Sequence, residues 1–213
     1  MKMGETFRRY GENPPAFNVR QVLEEDFRHY YIRGDVFIEM REQGTLLERW
    51  ELRNLVVLDA SIEIARLMKN PTEPYHGIFA LAVGTGNVGW NPMSPPAATN
   101  TQRSLWSEIA RKTFAATNFV DQGGLYVAYP TNVVDFTTTF AEAEAVGALD
   151  EMGLIGGNCS TNMNQRNPVL PPNGPYDPTV DLTQFDTLIN YLTFPVINKP
   201  ATSTLSIVWR LTF

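Results

Sequence analysis

The last ten residues constrain this chain most. Thr204 to Phe213 reads TLSIVWRLTF, with Leu205, Ile207, Trp209 and Leu211 alternating with Ser206, Val208, Arg210 and Thr212. Side chains of a strand point to opposite faces in turn, so this spacing predicts a strand with one face in a core. A terminus inside a sheet is tied down. Asp35 to Arg41 repeats the pattern: Val36, Ile38 and Met40 alternate with Asp35, Phe37, Glu39 and Arg41. Gln43-Gly44 then marks a turn, and Thr45 to Leu52 reads as the return strand of a hairpin.

The densest apolar sequence runs from Arg53 to Gly86. Leu55 to Leu58 is a short apolar run. Asp59 is suited to cap a helix over Ala60–Lys69, where Ile64, Leu67 and Met68 share a face and Glu63, Arg66 and Lys69 turn to water. Asn70-Pro71 stops it, because proline drives the preceding residue out of the α region. Ile78 to Val83 is a second run of strand length, closed by Gly84-Thr85-Gly86. The unit reads strand, helix, strand, turn, and the core is expected to form on it.

Elsewhere the chain alternates short strands with loops. Residues 1–17, with Pro14-Pro15, read as an arm, and 18–213 as a single β-rich domain. Asn18 caps an expected helix over Val19–Tyr30, with Val19, Val22, Leu23 and Phe27 on one face. Asn87 to Thr101 carries three prolines and reads as a loop too short of apolar residues to order itself, which neighbours would hold in an assembly, with Trp90 needing cover from the core or from a partner. Leu105–Lys112 fits a short helix or a strand, and the short helix is preferred. Phe114–Val120, Gly124–Tyr129 and Val133–Ala143 are read as strands, the last with Val134, Phe136, Thr138 and Phe140 on one face. Glu144–Ile155 is either the end of that strand or a short helix. Residues 158–178 form a long loop rich in Asn, Pro and Gly, a length that is usually functional, disordered or held by a partner. Leu188–Ile197 reads as a strand whose end Pro195 demotes to an edge or bulge.

The totals exclude several classes. A net charge of −6 gives no electrostatic footprint for duplex DNA or an anionic membrane. Hydrophobic residues make up 43%, enough to bury a core, and with one cysteine, Cys159, stability must come from packing rather than disulfides. The N-terminal MKMGETFRRYGENPP lacks the apolar stretch of a signal peptide. No apolar run reaches the roughly 18 residues that span a bilayer. A soluble chain made in a reducing cytoplasm is expected.

Candidate chemistry is thin. Gly84-Thr85-Gly86 follows a strand, but a nucleotide loop needs a helix next and a further glycine or a Gly-Lys-Ser/Thr ending, and a proline-rich loop follows instead. The favoured reading is a tight strand-terminal turn using positive φ. His29 and His76 are the two histidines, and neither sits at a metal-ligand spacing. Glu142, Glu144, Asp150 and Glu151 form an acidic cluster, and two paired carboxylates can hydrolyse a glycoside. Glu142 and Glu144 would share a strand face, if the strand extends that far, and repel, so a solvated face or salt bridges to a neighbouring subunit are preferred. No catalytic, cofactor or metal residue is assigned. Trp90, Tyr126, Tyr129 and Tyr176 lie in or beside loops, where aromatic rings stack on sugars or anchor a protein partner.

Several segments, in order, resemble a family of tailed-bacteriophage virion proteins, also found in phage-derived contractile injection machines. They are Asn54-Leu55-Val56-Val57 with Ile64-Ala65-Arg66-Leu67-Met68, then Ala82-Val83-Gly84-Thr85-Gly86, then Leu105 through Glu108 to Arg111. Glu151-Met152-Gly153-Leu154, Phe194–Lys199 and the closing Leu205–Phe213 complete the series. The likeness spans about residues 50–213, beside which the chain carries the 158–178 insertion and an N-terminal helix and hairpin. It implies a tail, baseplate, neck or fibre-attachment component: a non-enzymatic structural subunit, assembled in the host cytoplasm into the virion. Its partners would be copies of itself and other virion proteins, without direct nucleic-acid binding, membrane or cofactor. The fold expected is mainly β, an antiparallel β-sandwich-like domain with two short helices and long Pro/Asn-rich loops. The alternatives are a carbohydrate- or receptor-binding module at a fibre, and a glycan hydrolase built on Glu142, Glu144 or Asp150.

Overall fold

The computed structural model describes residues 32–57, 60, 64, 77–157 and 186–213. The helix expected at Val19–Tyr30, the boundary expected at residue 17 and the 158–178 loop lie outside the described residues. So does the helix expected at Ala60–Lys69, save Ala60 and Ile64. Among the described residues there are eleven strands: β1 (Arg33–Glu42), β2 (Thr45–Arg53), β3 (Leu55–Val56), β4 (Ile78–Gly84), β5 (Glu108–Thr113), β6 (Ala116–Val120), β7 (Tyr126–Val127), β8 (Val133–Phe140), β9 (Gly147–Gly157), β10 (Asp186–Lys199) and β11 (Ser203–Thr212). They form two antiparallel sheets. One runs β2-β1-β11-β8-β6-β7 and the other β3-β10-β9-β4-β5.

The closing alternation does what its spacing predicts. Leu205, Ile207, Trp209 and Leu211 are buried, and β11 sits between β1 and β8, with Val36 opposite Trp209 and Trp209 opposite Phe136. Val36, Ile38 and Met40 join them from β1, and Phe136 and Phe140 from β8. Leu81, Val83, Leu149, Met152, Leu154, Leu192, Phe194 and Ile197 of the second sheet belong to the same apolar cluster, so the facing sides of the two sheets share one core. The β1–β2 hairpin turns on Gln43 and Gly44, both at positive φ, as a two-residue hairpin turn demands.

The second sheet is covered on its other side as well. Val57, Ala82, Leu105, Ile155, Leu188 and Tyr191 form a separate cluster there, with Ala98 packed against it. Strands buried on both faces read as continuous apolar runs, which is how β4 reads. In β10 the register shifts between Leu188 and Asn190. The shift lets Leu188 and Tyr191 face the outer cluster while Ile189 and Leu192 face the shared core. A second shift, between Thr193 and Ile197, spans Pro195. Proline has no N–H to give a ladder, so the bulge expected at Pro195 is where the strand accommodates it.

Three expectations are corrected. Leu105–Lys112 is not a helix: β5 begins at Glu108 and pairs with β4, Ala82 standing opposite Arg111. Burial of Ala110 and Arg111 in a sheet edge overrides the weak helical pattern. Glu144–Ile155 is neither the end of β8 nor a helix. β8 stops at Phe140, a turn follows with Ala145 at positive φ, and β9 is a strand in the other sheet. The Asn87–Thr101 loop does not wait for a neighbour to order it. The Val196 N–H donates to Pro92 O at 2.8 Å and the Thr193 hydroxyl to Pro96 O at 2.7 Å, so the loop lies along β10. The β10 bulge frees the backbone donor that the loop uses.

Candidate functional site

Glu151, in the middle of β9, is fully buried and accepts four hydrogen bonds. Its Oε1 accepts from the backbone N–H of Gly86 at 3.2 Å and of Ser107 at 2.7 Å. Its Oε2 accepts from the Trp106 N–H at 2.9 Å and the Tyr191 hydroxyl at 2.7 Å. All four partners are donors, which suits a carboxylate, an acceptor-only group. Burial first, then the Glu151 charge, push the Tyr191 phenol well up, so Tyr191 stays the donor.

The glycines near Glu151 stand where neighbouring atoms leave no room for a Cβ, and at Gly84 the neighbour is Glu151 itself. A Cβ on Gly84 would stand 2.4 Å from Glu151 Oε1 and 2.6 Å from Ser107 O. Gly86, at φ 57°, would place a Cβ 2.5 Å from the Trp90 ring. On Gly153 a Cβ would meet Leu188 Cδ1 at 2.6 Å and Asn190 O at 2.8 Å. The Gly84-Thr85-Gly86 turn therefore receives a protein carboxylate. It is the tight strand-terminal turn with positive φ expected of it, and its Gly86 N–H, the donor a phosphate would seek, is already taken.

Other buried charges are likewise tied to the chain. Arg111 pairs with Glu108 through Nε at 2.5 Å and Nη2 at 2.7 Å, and with Asp186 through Nη1 at 2.5 Å. Burial opposes its charge, but the Glu108 and Asp186 carboxylates outweigh that and raise its pKa. Lys199 donates to the carbonyls of Ala141 and Glu142 at 3.0 Å and Ser203 at 2.8 Å. Its pKa is lowered by burial, against the pull of Glu144 and Glu142.

The members of the acidic cluster sit in different settings. Because β8 ends at Phe140, Glu142 and Glu144 do not share a strand face. Glu144 is spent on Lys112 at 2.6 Å and on the Ala141 N–H at 2.8 Å, which hold its pKa down. Asp150 is buried with an unpartnered Oδ1, and burial followed by the neighbouring Glu151 pushes it up to about 6. Among the described residues no group of three or more His, Cys, Asp and Glu is placed to hold a metal ion, and no helix is long and apolar enough to cross a membrane. His29, His76 and Cys159 lie outside the described residues.

The four aromatic candidates separate. Trp90 is half-buried and packs edge-on against Trp106, ring centroids 6.1 Å apart. Its cover is its own chain. Tyr176 lies outside the described residues. Tyr126 and Tyr129 are 57% and 60% exposed, and Leu125 beside them is 68% exposed. The β6–β7 turn, which leads through Leu125 into Tyr126, is built by Asp121, whose Oδ1 accepts from the N–H groups of Gly123 and Leu125 at 2.8 Å each, and Tyr129 follows in the β7–β8 connection. This Asx turn presents Leu125 and Tyr126 outward at the end of a sheet. A depression of about 430 Å³ lies next to Tyr129, lined by Asp121, Gln122, Thr131 and Asn132. Much of its polar lining is committed: Asn132 donates to Phe213 O at 3.0 Å and Thr131 to Val120 O at 2.8 Å. Sequence reasoning found the tyrosines through their position beside turns. It missed Glu151 as a hub, whose one signal was a pair of adjacent carboxylates, Asp150 and Glu151, inside an otherwise apolar run.

No protein-family model matches this chain, and no curated protein matches its sequence.

Proposed function

We infer that this protein is a non-enzymatic structural subunit, a β-sandwich that works by protein–protein contact in a bacteriophage virion or a related injection machine. The observation that carries the contact reading is the exposed Leu125 and Tyr126 at a turn fixed by Asp121, with the exposed Tyr129 just beyond β7. Tyrosine anchors held on a rigid scaffold contribute contact area at little entropic cost, and such residues dominate protein interfaces. The virion assignment comes from the ordered sequence segments. Their placement supports treating them as one unit: Gly84 and Gly86, Leu105 to Ser107, and Glu151 to Gly153 all meet around one carboxylate. Mass spectrometry of purified particles tests it. The chain is expected at a fixed copy number, and Tyr126→Ser combined with Tyr129→Ser is expected to lower incorporation without changing the melting of the free protein.

The depression beside Tyr129 favours a second reading, a carbohydrate- or receptor-binding module. An aromatic ring beside Gln122 and Asp121 is the kind of surface a sugar uses. Glycan-array binding by the isolated protein, lost on Tyr129→Ser, would replace the assembly reading with this one.

A further inference from the structure

β2 is the outermost strand of its sheet, and among the described residues its only strand neighbour is β1. It is nine residues long and exposed from Thr45 to Arg49. Leu46 and Leu47, 44% and 45% exposed, stand on it. The other edges of the two sheets are shorter: β7 and β3 have two residues each and β5 has six. A long strand with a free row of backbone donors and acceptors is a template for another strand.

We propose that β2 pairs antiparallel with β2 of a second copy, in a register centred on Trp50, so that the six-stranded sheet continues across a twofold axis. Residues directly opposite in such a pair share a face, so the axis must pass through a residue and not between two. Centring on Trp50 sets Arg49 opposite Glu51 of the partner, and Glu51 opposite the partner's Arg49. The two neighbouring registers are repulsive. Centring on Arg49 sets arginine against arginine, and centring on Glu51 sets glutamate against glutamate and Arg49 against Arg53. Like charges directly opposite destabilise a strand pair and unlike charges support it. The order Arg49-Trp50-Glu51 therefore selects one register of self-pairing.

The fold leaves these charges for that use. Glu39, opposite Arg49 across the β1–β2 ladder, is held by Arg41 at 3.0 Å. Asp135 on the same face is held by Arg210 through two bonds of 2.7 and 2.8 Å. Neither pair engages Arg49 or Glu51. The half-buried Trp50 and Leu52 pack against the shared core, so β2 is fixed in place before it meets a partner. The inference deepens the assembly reading and rests on it by naming a surface for contact between copies.

Sedimentation of the free full-length protein across a concentration series tests the pairing. The wild type is expected to self-associate. Arg49→Glu sets two acidic groups against each other on both sides of the axis and is expected to weaken association by roughly tenfold or more. Arg49→Glu combined with Glu51→Arg restores opposite charges in the same register and is expected to recover it. That recovery excludes fold damage as the cause of the first loss. A wild type that stays monomeric at every concentration overturns the proposal and makes the charges a guard on the edge. Association unchanged in Arg49→Glu, or a loss that the second substitution does not reverse, also overturns it. The measurement uses no particles, so its failure leaves the tyrosine surface and the virion reading standing.

Discussion

Glu151 Oε1 occupies the place where a side chain on Gly84 would begin: a Cβ there would lie 2.4 Å away. A residue at the end of β4 and one in the middle of β9 are thus fitted to each other, and Gly84 stands opposite Glu151 in the strand register. Gly84→Ala must displace either the carboxylate or the Ser107 carbonyl, and the latter is backbone. We expect a loss of about 1–3 kcal/mol, the cost of leaving buried donors unsatisfied, read as a lower urea midpoint with an unchanged slope. Glu151→Gln should cost at least as much, because its amide –NH₂ would replace one oxygen and face two of the four donors. Wild-type stability in both variants would show that the hub contributes nothing to the fold.

Asp150 provides a pH test. Burial and then Glu151 raise it to about 6, above its unfolded value of about 3.8. Between those values the folded state binds the extra proton, so stability falls as pH rises through this window, and the full penalty is present above pH 6. Asp150→Asn removes the charge. It should melt higher than wild type at pH 7 and converge with it near pH 4. Equal melting at pH 7 would mean that water reaches the Asp150 carboxylate.

Trp209 is fully buried between the two sheets. Truncating a buried aromatic costs about 3–5 kcal/mol, a large part of the stability of an ordinary domain. Trp209→Ala should be insoluble or unfolded at room temperature. A soluble variant with unchanged near-ultraviolet circular dichroism would place Trp209 at the surface.

The 87–101 loop should be protected in the free protein. Its bonds to Val196 and Thr193 are intrachain, and Ala98 packs on the outer cluster. Hydrogen exchange is expected to show the Val196 amide protected in isolated subunit. Protection that appears only in assembled particles would restore the view that a neighbour holds this loop.

Periodicity determined much of this protein. The alternation in Asp35–Arg41, Val133–Phe140 and Thr204–Phe213 specifies which face of each strand is apolar, because side-chain direction in a strand depends only on position parity. The Gln43-Gly44 turn and the Pro195 irregularity were legible for the same reason: their backbone demands are local. Tertiary structure alone decided the rest. Glu108–Thr113 became a strand because the free side of β4 takes it. Glu151 became the hub because three segments distant in sequence bring four donors to one carboxylate, and Trp90 found its cover in Trp106. None of these contacts leaves a periodic trace in the chain, since each depends on which strands become neighbours.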